Sequence, residues 1–198
     1  MLVDNEIIEQ NFIKKIPKIK FIPERNKTYS QNIQEEIFEY LEVQNLVLLL
    51  YIKFTSYHFL RPIEVFILKV KDLGLKSKKL HVKAKNSPLK TKIISELLWT
   101  DLPDLNKLNK EAVLFSLDKI GSEWDTALGN RRDYFSKRFK RIVKVHFKLG
   151  IDYGLYSFRH TYITKVYRVL IKDSSPFVAK CKLMLITGHS SMKALKNI

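Results

Sequence analysis

The longest apolar run of the chain, residues 46–51, predicts a buried helix that the remaining elements must cover. The run is too short to cross a bilayer, because a membrane helix needs roughly 20 apolar residues. The helix is predicted to continue to residue 58. An amphipathic helix capped by Ser30 is predicted just before it, over residues 31–42. Its apolar side chains recur at helical spacing, namely Ile33, Ile37, Tyr40 and Leu41.

The chain has 198 residues, of which 45% are hydrophobic, so it is long enough and apolar enough to bury one core. Lysine and arginine number 36 against 20 acidic residues, which gives a formal net charge of +16. An excess of this size favours a polyanionic partner, with nucleic acid first and an anionic membrane surface second. The alternative is a lysine-rich surface that is simply solvated.

Targeting and redox signals are weak in this sequence. A secretory signal begins with a basic segment, whereas residues 1–10 are acidic, so no signal peptide is predicted. Cys181 is the only cysteine, which excludes an intramolecular disulfide, and no cysteine–histidine cluster has zinc spacing. We interpret Cys181 as a small core residue in an apolar helical run. These features predict a cytoplasmic protein without a metal or other cofactor.

The first half of the chain changes character twice. Residues 1–28 hold no sustained period and contain two prolines and a basic string, so they are predicted to be a linker or arm. A third helix is predicted to begin at Arg61, with Pro62 at its first helical position. Its predicted core face consists of Ile63, Phe66, Ile67 and Val70.

A basic β-hairpin is predicted to follow. Residues 79–82 and 91–95 are short β-like runs, and the turn between them is rich in Asn, Ser and Pro. A lysine at the tip of such a hairpin could enter a nucleic-acid groove and donate a proton to a leaving oxygen. The alternative is a solvated basic turn. Five lysines belong to this segment: Lys79, Lys83, Lys85, Lys90 and Lys92.

The second half is predicted to be helical. A short helix over residues 101–110 precedes a long helix over residues 130–149, which Gly150 ends. The long helix sets an apolar face against a basic face. Three more helices are predicted over residues 158–171, 176–186 and 190–197. The predicted fold class is mixed α/β, mainly α, with one small antiparallel sheet.

Arg61 and Glu64 are candidates for binding an anion. They are three residues apart in the first turn of a predicted helix and therefore share a face. The arginine can fork onto a phosphate while the carboxylate holds another side chain in place. The alternative is an exposed ion pair of little energetic value.

Two histidine-containing segments lie further along the chain. Arg159 and His160 are predicted in the first turn of a helix, where backbone N–H groups favour an anion and Tyr156 can donate a hydrogen bond. His189 follows Gly188, a helix stop, at a predicted corner between helices. The alternatives are a basic helix start with a partly buried His160, and a structural His189 bonded to backbone.

The order of these signals is similar to that of the tyrosine recombinase (phage integrase) family. The resemblance extends from about residue 28 to the end. It is most specific in Tyr156-Ser-Phe-Arg-His-Thr-Tyr-Ile-Thr164 and Ile186-Thr-Gly-His-Ser-Ser-Met192, looser in Phe59-Leu-Arg-Pro-Ile-Glu64 and loosest in the hairpin. The resemblance implies a recombinase catalytic domain over residues 29–198. It also implies that residues 1–28 are the linker from a missing N-terminal DNA-binding domain.

The resemblance implies a role for each matching residue. Arg61 and Arg159 would clamp the scissile phosphate, with Glu64 as the supporting acid. Lys85 would be the general acid on the leaving 5′ oxygen, and Lys83 is the fallback for that role. Because charge alone does not choose among the hairpin lysines, this alternative stays open.

The histidine positions follow the family in part. His189 would hydrogen-bond the scissile phosphate, and His160 would play a supporting part. Tyr156 stands where the family typically has a histidine, and a phenol can donate a hydrogen bond but is a poor base near neutral pH. The other residues predicted to contact DNA are Lys83, Lys90, Lys92, Arg131 and Arg132.

Tyr156 is the first departure from the family pattern, and the position of the nucleophile is the second. Counted from His189, the tyrosine position of the family falls on Ile198, and no tyrosine follows His189. Either the tyrosine lies beyond residue 198 or the chain is a degenerate remnant that has lost it. In both cases the domain is expected to be incomplete at its C-terminus, and this polypeptide is expected to be inactive for cleavage.

The implied function is site-specific DNA recombination or integration, by strand cleavage and religation through a phosphotyrosine. The implied partner is double-stranded DNA, with no membrane. The family acts as a tetramer on DNA, whereas this chain is expected to be monomeric in solution, cytoplasmic and nucleoid-associated. The alternatives are a catalytically inactive DNA-binding remnant of an integrase and a basic RNA-associated protein.

Overall fold

The structure of the chain, a computed structural model, describes residues 26–83, 89–189 and 191–195. Most of the predicted linker, the hairpin tip with Lys85, and the last residues of the predicted C-terminal helix lie outside this description. None of the described helices is long and apolar enough to cross a membrane.

Helix α2 (Leu46–Tyr57) forms the centre of the fold, and nearly all of its side chains are buried. It packs against α1 (Gln31–Gln44) and α6 (Leu155–Leu170). Asn45 separates the first two helices, because its side-chain oxygen accepts from the Leu48 N–H at 3.0 Å and so caps α2. A helix that is apolar on every face requires such a surrounding layer.

An aromatic cluster fills the core beside α2. The Tyr51 ring stacks on Phe135 with the ring centroids 4.4 Å apart. The Phe115 ring meets Tyr51 and Phe54 edge-on, at 5.4 and 5.3 Å between centroids. Offset and edge-to-face pairs at these separations add stabilisation beyond the area that they bury. The cluster joins α2 to the strand and the helix that carry Phe115 and Phe135.

Two small antiparallel sheets flank the helices, where the sequence predicted one. In the first sheet the predicted hairpin is present, and His81 pairs with Thr91. The unpredicted strands were missed because two or three residues are too short to show an alternating pattern. The first sheet consists of β1 (Leu73–Gly74), β2 (Lys79–Val82) and β3 (Lys90–Ile93), and the second of β4 (Val113–Phe115) and β5 (Ile120–Ser122).

Two of the predicted helices are shorter in the structure than expected. Helix α3 (Pro62–Phe66) is a single turn, so its apolar face does not continue as predicted, and Ile63 is 55% exposed. The predicted helix over residues 101–110 is only a short 3-10 turn, Leu105–Lys107. One further short helix, α4 (Glu96–Trp99), follows the hairpin.

The predicted long helix is present but ends differently. Helix α5 (Leu128–Phe139) continues directly as a π-helix, Lys140–Lys144. Gly150 was predicted to end it. Instead Lys148 adopts the left-handed backbone conformation, with φ of 50°, just after the last helical residues.

Helices α6 and α7 (Pro176–Thr187) pack together; α6 carries Tyr156, Arg159 and His160, and His189 follows α7. Helix α6 begins three residues earlier than predicted, after Gly154. Ser157 lies inside the helix, and its hydroxyl accepts from the Gly154 N–H at 3.1 Å. Arg159 therefore lies beyond the first turn, and the free N–H groups of the helix start are not beside it. The observed architecture confirms the mixed, mainly α fold class.

Candidate phosphate-binding site

Arg159 is buried, with 2% of its surface exposed, and each of its nitrogens is engaged. Nε donates to the Phe59 carbonyl at 2.7 Å, and Nη1 donates to the Tyr156 hydroxyl at 3.0 Å. Nη2 lies 3.2 Å from Nε2 of His189. Because a guanidinium only donates, Nε2 of His189 must be the unprotonated nitrogen of the ring. The arginine thus joins α6 to the end of α2 and to the segment after α7.

The hydrogen-bond network fixes the tautomer of His189. The Thr187 hydroxyl donates to the Leu183 carbonyl at 2.7 Å, so its oxygen is free to accept from Nδ1–H of His189. The ring is therefore neutral, with the proton on Nδ1 and the lone pair of Nε2 turned to Arg159. Thr187 positions His189 from two residues away.

Phe59 supplies the carbonyl that orients Arg159. Its φ is 54°, a left-handed conformation that glycine usually adopts after the end of a helix. For a bulky residue this conformation costs roughly 1–2 kcal/mol, which the surrounding contacts offset. One such contact is the Lys92 ammonium, which lies 5.9 Å from the centre of the Phe59 ring.

Glu64 holds Arg61 at the start of α3. The carboxylate is buried, and it accepts from the Arg61 N–H at 2.7 Å and from Arg61 Nη1 at 3.4 Å. The side chain of Arg61 is 43% exposed, so its remaining donors can reach an external ligand. A third group, the Lys90 ammonium, lies 3.9 Å from the same carboxylate. Glu64 therefore organises two cations from different elements.

The two lysines of β3 cap the C-terminus of α7. Lys90 Nζ donates to the Gly188 carbonyl at 3.4 Å, and Lys92 Nζ donates to the Ile186 carbonyl at 3.3 Å. The last carbonyls of a helix lack partners within the helix and attract cations. These bonds fasten the hairpin to the segment that carries His189.

Burial and the positive charge of the cluster lower the pKa values of several groups. Burial, followed by the charges of Arg159, Arg61 and Lys90, lowers the pKa of His189 to about 4. Burial also lowers the pKa of Lys92 to about 8, although the Glu64 carboxylate acts in the opposite direction. The charged groups of the site therefore interact electrostatically with one another. A site with this field attracts an anion.

The remaining predicted residues lie around the cluster. The His160 ring contacts the Tyr156 ring edge-on at 4.8 Å, and burial followed by the charge of Arg159 lowers the pKa of His160. Lys83 is exposed at the end of β2, next to the part of the hairpin that the structure does not describe. The general-acid role expected of Lys85 stays a prediction.

The two arginines of α5 differ in their surroundings. Arg131 donates to the Trp124 carbonyl at 2.7 Å and lies over the Trp124 ring, so it serves packing. Arg132 is exposed and pairs with Asp133 at 2.9 Å. Of these two, only Arg132 presents an exposed guanidinium.

Sequence reasoning missed the parts played by Phe59 and Thr187. Thr187 stands two residues before His189, and a hydroxyl at that spacing is the signal that could have identified it. Phe59 acts through its carbonyl, which side-chain patterns do not reveal.

Comparisons with known proteins identify the fold. No model of a protein family matches the sequence, and no curated protein matches it. The integrase of mycobacterium phage Brujita superimposes with a TM-score of 0.56 and 14% identity, over 96% of this chain and 59% of that one. The XerA recombinase gives a TM-score of 0.62 and 14% identity, over 88% and 60%. The chain has the fold of a tyrosine recombinase catalytic domain.

A third recombinase-fold structure is the Tn1549 transposon integrase in complex with transposon right end DNA. It gives a TM-score of 0.64 and 15% identity, over 96% of this chain and 65% of that one. The chain therefore spans less than two thirds of each of these three structures. Identities this low establish the recombinase fold alone, which confirms the resemblance at the level of architecture.

Proposed function

We propose that this domain binds duplex DNA with one backbone phosphate held by Arg61, Arg159 and His189, and that the site serves strand cleavage and religation in site-specific recombination or integration. The observation that carries the proposal is the direct contact of Arg159 with His189 beside an Arg61 that Glu64 holds in place. Three separate elements supply these side chains, which is how a fold builds an oxyanion site.

A bound phosphate would neutralise part of the positive charge of this cluster. Arg61 and Lys90 share one buried carboxylate, Glu64, and burial together with the field of the cations lowers the pKa of His189 so that the ring is neutral. An anion would offset that field and raise the pKa of His189, so that a protonated ring could donate to a phosphate oxygen. Arg159 could then turn Nη2 from His189 to the ligand. The guanidinium would stabilise the negative charge on the non-bridging oxygens of the pentacoordinate transition state.

The proposed reaction is a phosphoryl transfer to tyrosine. A tyrosine hydroxyl would lose its proton to solvent, and its oxygen would bond to phosphorus as the bond to the 5′ oxygen breaks; a hairpin lysine, Lys85 or Lys83, would protonate the leaving 5′ oxygen. Religation by another 5′ hydroxyl would reverse these steps on a new strand. No tyrosine follows His189 in these 198 residues, so they contribute the phosphate clamp rather than the nucleophile.

A second candidate is a DNA-binding module of the same fold that does not cleave. One observation favours it, the presence of Tyr156 where a histidine is typical. Both candidate functions require a phosphate at the same cluster, and they differ only in whether the DNA strand is then cleaved.

The binding proposal is tested by measuring affinity for a mixed-sequence duplex against salt. Each phosphate contact contributes about 0.9 to the slope of log affinity against log salt concentration. Arg61→Gln is expected to lower this slope by about 1. The matched control is Arg168→Gln, which removes an exposed arginine of α6 outside the site. A flat salt response of the unaltered chain would reject DNA binding, and preference for duplex RNA would favour an RNA-associated role.

A further inference from the structure

A second cationic cavity borders the candidate site. It lies between the start of α3, the face of α5 with its π-helix, and the start of α6, and its volume is about 530 Å³. Pro62, Phe139 and the rings of Tyr153 and Tyr156 form an apolar wall. Four cations line the cavity, Arg61, Arg132, Lys140 and Lys144, and none of its described lining residues is acidic.

The π-helix accounts for the alignment of these cations. Arg132, Ser136, Lys140 and Lys144 follow one another at intervals of four residues. In an α-helix each interval of four advances about 40° beyond a full turn, so such a row drifts around the axis. The wider turn of the π-helix, in which the Val145 N–H bonds the Lys140 carbonyl, counters that drift. All four side chains consequently reach the same cavity.

The two lysines of this row lack acidic partners within the described part of the chain. Among the described residues, the row takes part in one ion pair, the exposed pair of Arg132 with its neighbour Asp133. Lys140 is exposed and Lys144 is half-buried. Elsewhere on the surface Lys69 and Lys71 share Glu111, at 2.9 and 2.7 Å. Two lysines without a described acidic partner, at a concave surface, concentrate their field on whatever enters the cavity.

We propose that this cavity is a second anion subsite, which holds the phosphate neighbouring the one at Arg61, Arg159 and His189 on the same DNA strand. Arg61 borders both sites, so one continuous strand can pass from the first to the second. The apolar wall suits the face of a sugar between two phosphates. The inference rests on the proposed function, because it requires DNA at the first site.

The test is the salt dependence of duplex DNA binding by the whole chain. Lys140→Gln with Lys144→Gln removes two cations from the cavity and is expected to lower the slope of log affinity against log salt by about 1, the contribution of the one phosphate that the cavity would hold. The matched control, Lys137→Gln with Arg141→Gln, removes two exposed cations of the same helix at the same spacing outside the cavity. Its slope is expected to stay within about 0.5 of the unaltered chain.

A second pair of variants tests the cavity without removing a lysine. Ser136 lies between Arg132 and Lys140 in the row, and Ser136→Glu places a carboxylate in the cavity. It is expected to weaken DNA binding several-fold, whereas Ser136→Gln, of nearly equal size, leaves the affinity unchanged.

The outcomes separate this proposal from the first one. Equal slopes in the two double variants, or equal affinities of the two Ser136 variants, would overturn the subsite. A steep salt dependence of binding by the unaltered chain would still support DNA at the first site. Binding that does not respond to salt in the unaltered chain would overturn both proposals.

Discussion

Lys90 donates to the carbonyl of Gly188 at 3.4 Å across 98 residues of sequence. The same ammonium lies 3.9 Å from the carboxylate that holds Arg61. One lysine of the hairpin therefore connects the start of α3 with the end of α7. A displacement of the hairpin would be transmitted to His189, which follows Gly188 directly.

This connection predicts that Lys90→Met raises the pKa of His189. The Lys90 charge is one of the causes that hold this pKa at about 4, so its removal favours the imidazolium. An NMR titration of the histidine ring protons measures the change. Lys79→Met, on the exposed face of β2, is the control. An identical His189 titration in the Lys90 variant would show that the two residues are not coupled.

The free energy of unfolding is predicted to decrease as the pH is lowered, because His58 is buried. Burial, followed by the charge of Lys92, lowers the pKa of His58 to about 4, against 6.5 for an unperturbed histidine. The unfolded chain therefore binds more protons between these values, and stability present above pH 6.5 is lost as pH falls to 4. The loss from His58 amounts to about 3 kcal/mol.

Urea unfolding at pH 7.5 and at pH 4 measures this loss. His58→Gln removes the titrating group, so the variant should lose less stability than the unaltered chain over the same interval. Its free energy of unfolding at pH 8, where histidine is neutral in both states, gives the cost of the substitution itself. If the variant and the unaltered chain lost equal free energy on acidification, His58 would not be the cause.

The sequence predicted contacts that are local and missed those that depend on the fold. Arg61 and Glu64 are three residues apart, so helical geometry alone brings them together. The contact of Arg159 with Tyr156 was not predicted, because the helix was expected to begin only at residue 158. Arg159 and the Phe59 carbonyl are 100 positions apart in the sequence and meet only in the folded chain. No local pattern encodes that contact.

Apolar periodicity predicted the helices but not their irregularities. The bulk of α5 was expected because its apolar side chains recur at helical spacing, whereas the change to a π-helix at Lys140 leaves no trace in that pattern. Phe115 on β4 is another case, since its burial follows from contact with α2. Three residues of strand are too few for a pattern to identify.

DNA affinity is predicted to rise as pH falls from 7.5 to 5.5. A phosphate beside His189 would raise the pKa of the ring from about 4, so binding would take up a proton. The uptake of one proton raises affinity by at most about tenfold per pH unit. Fluorescence anisotropy at constant ionic strength measures the effect. His189→Gln should flatten the pH dependence, and an equal slope in that variant would place the proton elsewhere.

The turn before His189 is predicted to depend on the backbone of Gly188 rather than on the space around it. Gly188 has φ of 72°, and a methyl group added there would first meet Lys90 Nζ at 3.6 Å, an ordinary contact. Gly188→Ala should therefore lower the free energy of unfolding by about 1–2 kcal/mol through left-handed strain. Gly188→Asn should lower it less, because asparagine tolerates this conformation. Thermal or urea unfolding of the two variants measures the difference, and a larger loss for asparagine would show that side-chain volume, not backbone conformation, limits this position.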